Sequence, residues 1–244
     1  MSLLDDLSNP NDPFIKKNLE IKGIDPSTLL KSNLYKKAEP TVAPDPYPQS
    51  RNPIDDSQAI SVRYFPPYNR KCPNQIMGLI HFAYHCASNT ELPHKNLTKW
   101  LEIGSLVGES ASVFLSFPFV QKLYCVDILF QPDFWSRMDL DIKNKRCEPV
   151  EKRSEMASLD FADNSLDVLY IDGDHSEAAA ARDLNNWLCK VRPGGWIGVH
   201  DYVGDWNDVK PTVDQFLIKN SSMVNRHSYK TFRDGSFCFQ KAKR

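Results

Sequence analysis

The chain changes character near residue 74. From there "NQIMGLIHFAYHCASN" sets apolar side chains at Ile76, Ile80, Phe82, Ala83 and Cys86, the spacing of one amphipathic helix. Beyond Thr98 apolar runs without polar alternation trade places with helical patterns. Strands are predicted at "KWLEIG" (99–104), "KLYCVDIL" (122–129), "RCEPVE" (146–151), "LDVLYID" (166–172), "GGWIGVHD" (194–201) and "GSFCFQK" (235–241). Helices are predicted over 109–117, 176–190 and 208–219. Apolar strands separated by helices argue for a parallel sheet buried on both faces. The last strand follows "VNRHSYKTFRDG" with no helix between, so it is expected to enter antiparallel as a hairpin partner.

Ahead of that block lies a different kind of chain. Eleven of the 17 prolines fall within the first 73 residues, densest in "AEPTVAPDPYPQSRNP". Proline removes a backbone donor and fixes φ, so residues 1–73 read as a proline-rich N-terminal arm, with "PFIKKNLEIKG" and "PSTLLKSNLYKK" as candidate short helices. Residues 74–244 read as the catalytic domain. The arm is expected to cover the active-site face or a neighbouring subunit of a homo-oligomer.

Thirty basic and 31 acidic residues nearly cancel, which leaves no field to draw nucleic acid or an anionic membrane. No apolar run reaches the length of a membrane span, and the N-terminus lacks a signal-peptide pattern. The expectation is a soluble cytoplasmic protein without nucleic-acid or membrane partners. The six cysteines contain no C-x-x-C pair, and several sit inside apolar runs, as reduced core residues do. His81 and His85 are spaced like a zinc pair, but no third ligand accompanies them, so they read as a helix face.

Candidate chemistry gathers at predicted strand ends. "EIGSLVGESA" places Glu102 at the end of a strand, with Gly104 and Gly108 in the turn before a helix; Asp127 ends the next strand, where a carboxylate can accept ribose hydroxyls. The turn is G-x-x-x-G and not the G-x-G-x-x-G that seats a pyrophosphate, so a nicotinamide cofactor fits less well. Further on, "YIDGDH" brings Asp172, Asp174 and His175 to the end of a buried strand, and "GVHDY" brings His200 and Asp201 to the end of another. Buried groups of this kind are costly unless paired, metal-bound or open to a ligand.

Four blocks in order, "EIGSLVG", "VD", "DVLYIDGDH" and "VRPGGWIGVHDY", resemble the class I S-adenosylmethionine-dependent methyltransferases over roughly residues 75–241. Within that superfamily "IDGDHSEAAAARDL" and "VKPTVDQF" are similar to the macrocin-type, antibiotic-sugar O-methyltransferases. The resemblance implies an α/β fold: a Rossmann-like, doubly wound, mostly parallel seven-stranded sheet with an antiparallel last strand. It implies S-adenosyl-L-methionine as cofactor, a divalent metal (Mg²⁺ or Mn²⁺) as a second one, and a small-molecule or glycan hydroxyl as acceptor.

Residue by residue, the resemblance gives Glu102, Gly104, Gly108 and Asp127 to the cofactor, with Ser154 and Glu155 at the adenine. Lys152 and Arg153 replace the small residues usual before that serine, and a helix cap is the other reading of Ser154. Asp172 and Asp201 would hold the metal. The third ligand in metal-dependent relatives is a carboxylate or amide beside the second aspartate; here the neighbours are His200 and Tyr202, and imidazole suits Mn²⁺, Zn²⁺ or Fe²⁺ better than Mg²⁺. Asp174 matches the base of the sugar-type relatives and is preferred in that role, while His175 stands where catechol-type relatives carry a lysine base. Either could instead cap the following helix. A nucleotide-dependent oxidoreductase and a non-catalytic cofactor-binding or assembly protein are the competing classes.

Overall fold

The computed structural model describes residues 73–89, 97–204, 206–232 and 234–243, and a short antiparallel pairing of Lys36–Lys37 with Ile60–Ser61. The rest of the proline-rich arm up to Cys72 lies outside the described residues, with the whole of the first candidate helix and all of the second but Lys36–Lys37, which is strand.

Helix α1 (Pro73–Ser88) precedes strand β1 (Lys99–Ile103), helix α2 (Glu109–Leu115) and strand β2 (Lys122–Asp127). Helix α3 (Pro132–Lys143), strand β3 (Cys147–Glu151) and the single turn α4 (Ser154–Ala157) follow. Then come strand β4 (Leu166–Ile171), helix α5 (Glu177–Trp187), strand β5 (Val191–Val199), helix α6 (Val209–Lys219), and strands β6 (Val224–Thr231) and β7 (Phe237–Lys241). Seven strands form one sheet in the order β3-β2-β1-β4-β5-β7-β6. All pairings from β3 to β5 are parallel, and β7 alone runs against both its neighbours. This is the Rossmann-like, doubly wound sheet with an antiparallel last strand.

Alternation along each strand divides the core into two layers. Trp100, Val168, Tyr170 and Trp196 pack under α1, α2 and α3. Leu101, Ile103, Leu169, Ile171, Ile197 and Val199 pack under α5 and α6. The α1 layer lies so close to the sheet that a Cβ on Gly198 would stand 2.7 Å from both Phe82 and Tyr170, so only glycine fits there. The buried cysteines 86, 125, 147 and 238 are free thiols, as is the exposed Cys189.

Three departures from the sequence pattern have physical reasons: the first, strand β6 (Val224–Thr231), is an edge strand exposed along most of its length, so no apolar run reveals it. Helix α3 was not expected, because "PDFWSRMDLDIK" mixes charge through its apolar stripe; it is held by Phe134 and Met138 in the α1 layer and by Pro132 at its start. Strand β5 starts at Val191, not Gly194: its pairing with β4 jumps from Leu166↔Val191 to Val168↔Trp196, so the intervening Pro-Gly-Gly bulges out of the ladder.

Register decides where the site forms. Glu102 pairs with Tyr170 and Tyr170 with Gly198; one step on, Ile103 pairs with Ile171 and Ile171 with Val199. The next residues are Gly104, Asp172 and His200, where the strands end. Asp172 N still donates to Ile103 O (2.9 Å) and His200 N to Ile171 O (2.9 Å), which fixes both side chains side by side. At the opposite end, Asp167 Oδ2 accepts from the backbone amides of Thr98 (2.5 Å) and Lys99 (2.7 Å), while Oδ1 meets Arg192 (2.7 Å). Asp167→Ala is therefore expected to lower unfolding free energy by about 2–4 kcal/mol, since two amides lose their acceptor inside the protein. Denaturant melts read this directly, and a loss under about 0.5 kcal/mol would show that the entry to β1 does not depend on this carboxylate.

Candidate active site

The loop after β1 is shaped by two left-handed glycines, Gly104 (φ 86°) and Gly108 (φ 77°), the second forming the N-cap of α2. A Cβ on Gly104 would lie 2.0 Å from the carbonyl oxygen of Asp172. Glu102, fully buried beneath the loop, accepts from Ser105 Oγ at 2.7 Å. Asp127, at the end of β2, accepts from Leu106 N through Oδ2 (2.8 Å) and from Leu129 N through Oδ1 (3.2 Å). A carboxylate has about four lone-pair positions, so two remain for hydroxyl donors such as those of a ribose. Glu102 and Asp127 thus tie down, through Ser105 and Leu106, the loop that Gly104 and Gly108 shape.

Ser154 and Glu155 stand in α4, beyond β3. Ser154 Oγ donates to Asp183 Oδ1 (2.6 Å) and accepts from Trp187 Nε1 (2.8 Å), so its hydroxyl joins α4 to α5. Glu155 pairs with Arg153 at 2.7 Å. Asp183, which no motif flagged, is buried against the loop carrying Gly173, and burial pushes its carboxyl up to about 6 despite the Ser154 hydrogen bond.

Beyond the ends of β4 and β5, Asp172, His175, His200 and Asp201 each offer one ligand atom, and these atoms all lie within 4.8 Å of one another. His200 Nδ1 stands 3.2 Å from Asp172 Oδ1 and 3.0 Å from Asp201 Oδ2. His175 Nε2 stands 2.8 Å from the same Asp201 oxygen and 3.9 Å from Asp172 Oδ1. Burial acts to raise the Asp201 carboxyl, but hydrogen bonds and positive charge from His175 and His200 outweigh it and hold the group well below the ordinary carboxylate range. Asp201 takes a left-handed backbone (φ 55°), uncommon for a residue with a Cβ, and this turns its side chain back toward Asp172.

This donor set fits a divalent ion. Ligands at ~2.1 Å in an octahedron stand ~3.0 Å from their cis neighbours, close to the spacings around His200, and two carboxylates balance a double charge. Asp174 lies outside the cluster. It is exposed, and its Oδ1 accepts from Ser176 N (2.9 Å) at the start of α5, where Ser176 Oγ accepts in turn from Ala179 N. The histidine pair of α1 is also remote in kind: His85 packs edge-on against Trp196 (4.9 Å), and burial, with Lys230 nearby, lowers it to about 4.

Two further features have weak sequence signals. Trp206, half-exposed, stacks on the His175 ring at 4.7 Å and 15°, and it sits in a loop with no periodicity to reveal it. Arg137 is buried on α3 and donates to the carbonyl of Val107 in the glycine loop; an arginine in a charged helix reads as surface.

Residues 101–202 match the model of a family described as a methyltransferase domain. An uncharacterized protein, R132, of Acanthamoeba polyphaga mimivirus is 25% identical over an alignment of 156 positions that covers 59% of this chain and 71% of that protein. A Corynebacterium glutamicum structure superposes with a TM-score of 0.53 at 15% identity, over 71% of this chain and 84% of its own. The MycE methyltransferase of the mycinamycin biosynthetic pathway, in complex with Mg, S-adenosylhomocysteine and mycinamycin VI, superposes with a TM-score of 0.52 at 15% identity, over 74% of this chain and 53% of its own. These structural likenesses show the fold. Residues 101–202 thus resemble a methyltransferase domain, carried on a fold shared with the MycE methyltransferase. Among the described residues no helix is long and apolar enough to cross a membrane.

Asp183 gives the site a pH signature. Its unfolded value is near ~3.9. Between that value and the folded value of about 6 the folded chain keeps a proton that the unfolded chain has lost, so stability falls as pH rises across this window and stays lower above it. Asp183→Asn keeps an acceptor for Ser154 and removes the titration. The variant is expected to gain about 2–3 kcal/mol relative to wild type on going from pH 4 to pH 7. Parallel stability curves for the two proteins would show that Asp183 titrates normally.

Proposed function

We propose that the protein transfers the methyl group of S-adenosylmethionine to a hydroxyl of a sugar or other small molecule, as an O-methyltransferase of the macrocin-like kind. The observation that carries this reading is the convergence of Asp172, His175, His200 and Asp201 at the ends of β4 and β5, beside the glycine loop. In an open parallel sheet ligands bind outside the carboxyl ends of the strands. MycE, whose structure holds Mg, S-adenosylhomocysteine and mycinamycin VI together, adds a precedent on the same fold.

In this reading Glu102, Gly104, Gly108 and Asp127 hold the cofactor, with Ser154 and Glu155 flanking its adenine end. Bound S-adenosylmethionine supplies an electrophilic methyl group on a sulfonium, whose C–S electron pair returns to sulfur as the new C–O bond forms. Asp172, His200 and Asp201 would hold a divalent ion, which would supply positive charge that makes a nearby acceptor hydroxyl more acidic. The chain itself must align the acceptor oxygen and take its proton. His175 is the base: its Nε2 faces Asp201, which orients the ring, and Nδ1 is the nitrogen left to accept. Trp206 lies flat against that ring and limits its rotation. Asp174, engaged at the start of α5, contributes by fixing the loop.

The test is mass spectrometry of candidate glycans and hydroxylated metabolites after incubation with methyl-labelled cofactor. Wild type is expected to label an acceptor oxygen. His175→Ala should slow single-turnover transfer by about 10²–10⁴-fold with cofactor affinity unchanged. Label on nitrogen, or full activity in the variant, would contradict the O-methyl and base assignments respectively.

A further inference from the structure

The ion that serves this site can be specified further, on the assumption that the methyltransferase reading is correct. We propose that the cluster selects a borderline first-row ion (Mn²⁺, Fe²⁺, Co²⁺ or Zn²⁺) over Mg²⁺, with His200 as the nitrogen ligand between Asp172 and Asp201 and His175 outside the coordination shell.

Both imidazoles approach Asp201, but they differ in their distance from Asp172 and in exposure. His200 Nδ1 bridges the two carboxylates at 3.2 and 3.0 Å, the arrangement of three cis ligands. His175 Nε2 leans on Asp201 alone at 2.8 Å and stands off from Asp172 at 3.9 Å. The His200 side chain is 5% exposed, so the packing around it leaves its ring little room to swing aside and yield its place to water. His175 is more open, at 23%, and is stacked under the half-exposed Trp206 at the rim. An ion seated between Asp172 and Asp201 therefore meets an imidazole it cannot avoid. Mg²⁺ prefers oxygen donors and keeps several waters, whereas the borderline ions take imidazole nitrogen readily. The two carboxylates keep the site open to oxygen-loving Mn²⁺ and Fe²⁺ as well as Zn²⁺.

The experiment uses the full chain stripped with chelator and then titrated with Mn²⁺ alone, free Mn²⁺ being read by electron paramagnetic resonance while Mg²⁺ competes. One Mn²⁺ should bind per chain and resist about a hundredfold excess of Mg²⁺. His200→Asp should shrink the Mn²⁺-over-Mg²⁺ preference by about tenfold or more, while His175→Gln should keep its Mn²⁺ within about threefold of wild type. The Co²⁺-loaded wild type should show a single exchangeable, hyperfine-shifted imidazole N–H in its proton spectrum, a reading that needs no variant and stands if His200→Asp does not fold. Displacement of Mn²⁺ by equimolar Mg²⁺, two or no shifted N–H signals, or equal losses in both histidine variants would overturn the proposal. Calorimetry with S-adenosylhomocysteine on the stripped chain separates the two readings. Cofactor binding without Mn²⁺ binding removes the metal claim alone, and Mn²⁺ binding without cofactor binding removes the methyltransferase reading.

Discussion

The contact on which the rest depends is the approach of the loop after β1 to the end of β4. Gly104 lies so near the carbonyl of Asp172 that no side chain could stand between them. A left-handed turn at Gly104 lets the chain leave β1 without striking β4, and the same close approach brings the glycine loop, the proposed seat of the cofactor, beside the carboxylate cluster. Methyl transfer requires donor and acceptor in line at near contact, so a looser junction would separate the two halves of the reaction.

The sheet makes that junction rigid from both sides. Parallel pairing carries Glu102, Tyr170 and Gly198 into one row, with a hydrophobic cluster on each face of the sheet. Side chains one and two steps past the last paired row inherit this order, so Asp172 and His200 are neighbours although they are far apart in sequence. Asp201 then uses a left-handed backbone to add its carboxylate to the same space. Strain of that sort is retained where the surroundings overdetermine it, here by two imidazoles meeting one oxygen.

Much of this was legible from sequence because the signals are local. Strand periods, glycines before a helix and acidic residues at strand ends each report on a few neighbouring positions, and the order of "EIGSLVG", "DVLYIDGDH" and "GVHDY" indicated which ends would meet. What escaped depends on tertiary partners. Helix α3 is held by Phe134 and Met138 packing into a core formed by distant elements, and Arg137 reads as surface until Val107 is seen above it. The difference between Asp174 and His175 was beyond a pattern of adjacent letters, because it turns on one residue accepting from the amide of Ser176 ahead of α5 while the next points at Asp201. Trp206 lies in a loop, where no periodicity marks a functional face.

The central claim is that the loop between β1 and α2 seats an adenosyl sulfonium. It is tested most directly by titration calorimetry of wild type and Gly104→Ala with S-adenosylhomocysteine and, separately, with NAD⁺. Wild type should bind S-adenosylhomocysteine and not NAD⁺, and Gly104→Ala, with folding checked by circular dichroism, should lose that binding because its methyl group collides with the Asp172 carbonyl. Binding of NAD⁺ in place of S-adenosylhomocysteine, or undiminished binding by the alanine variant, would contradict the account.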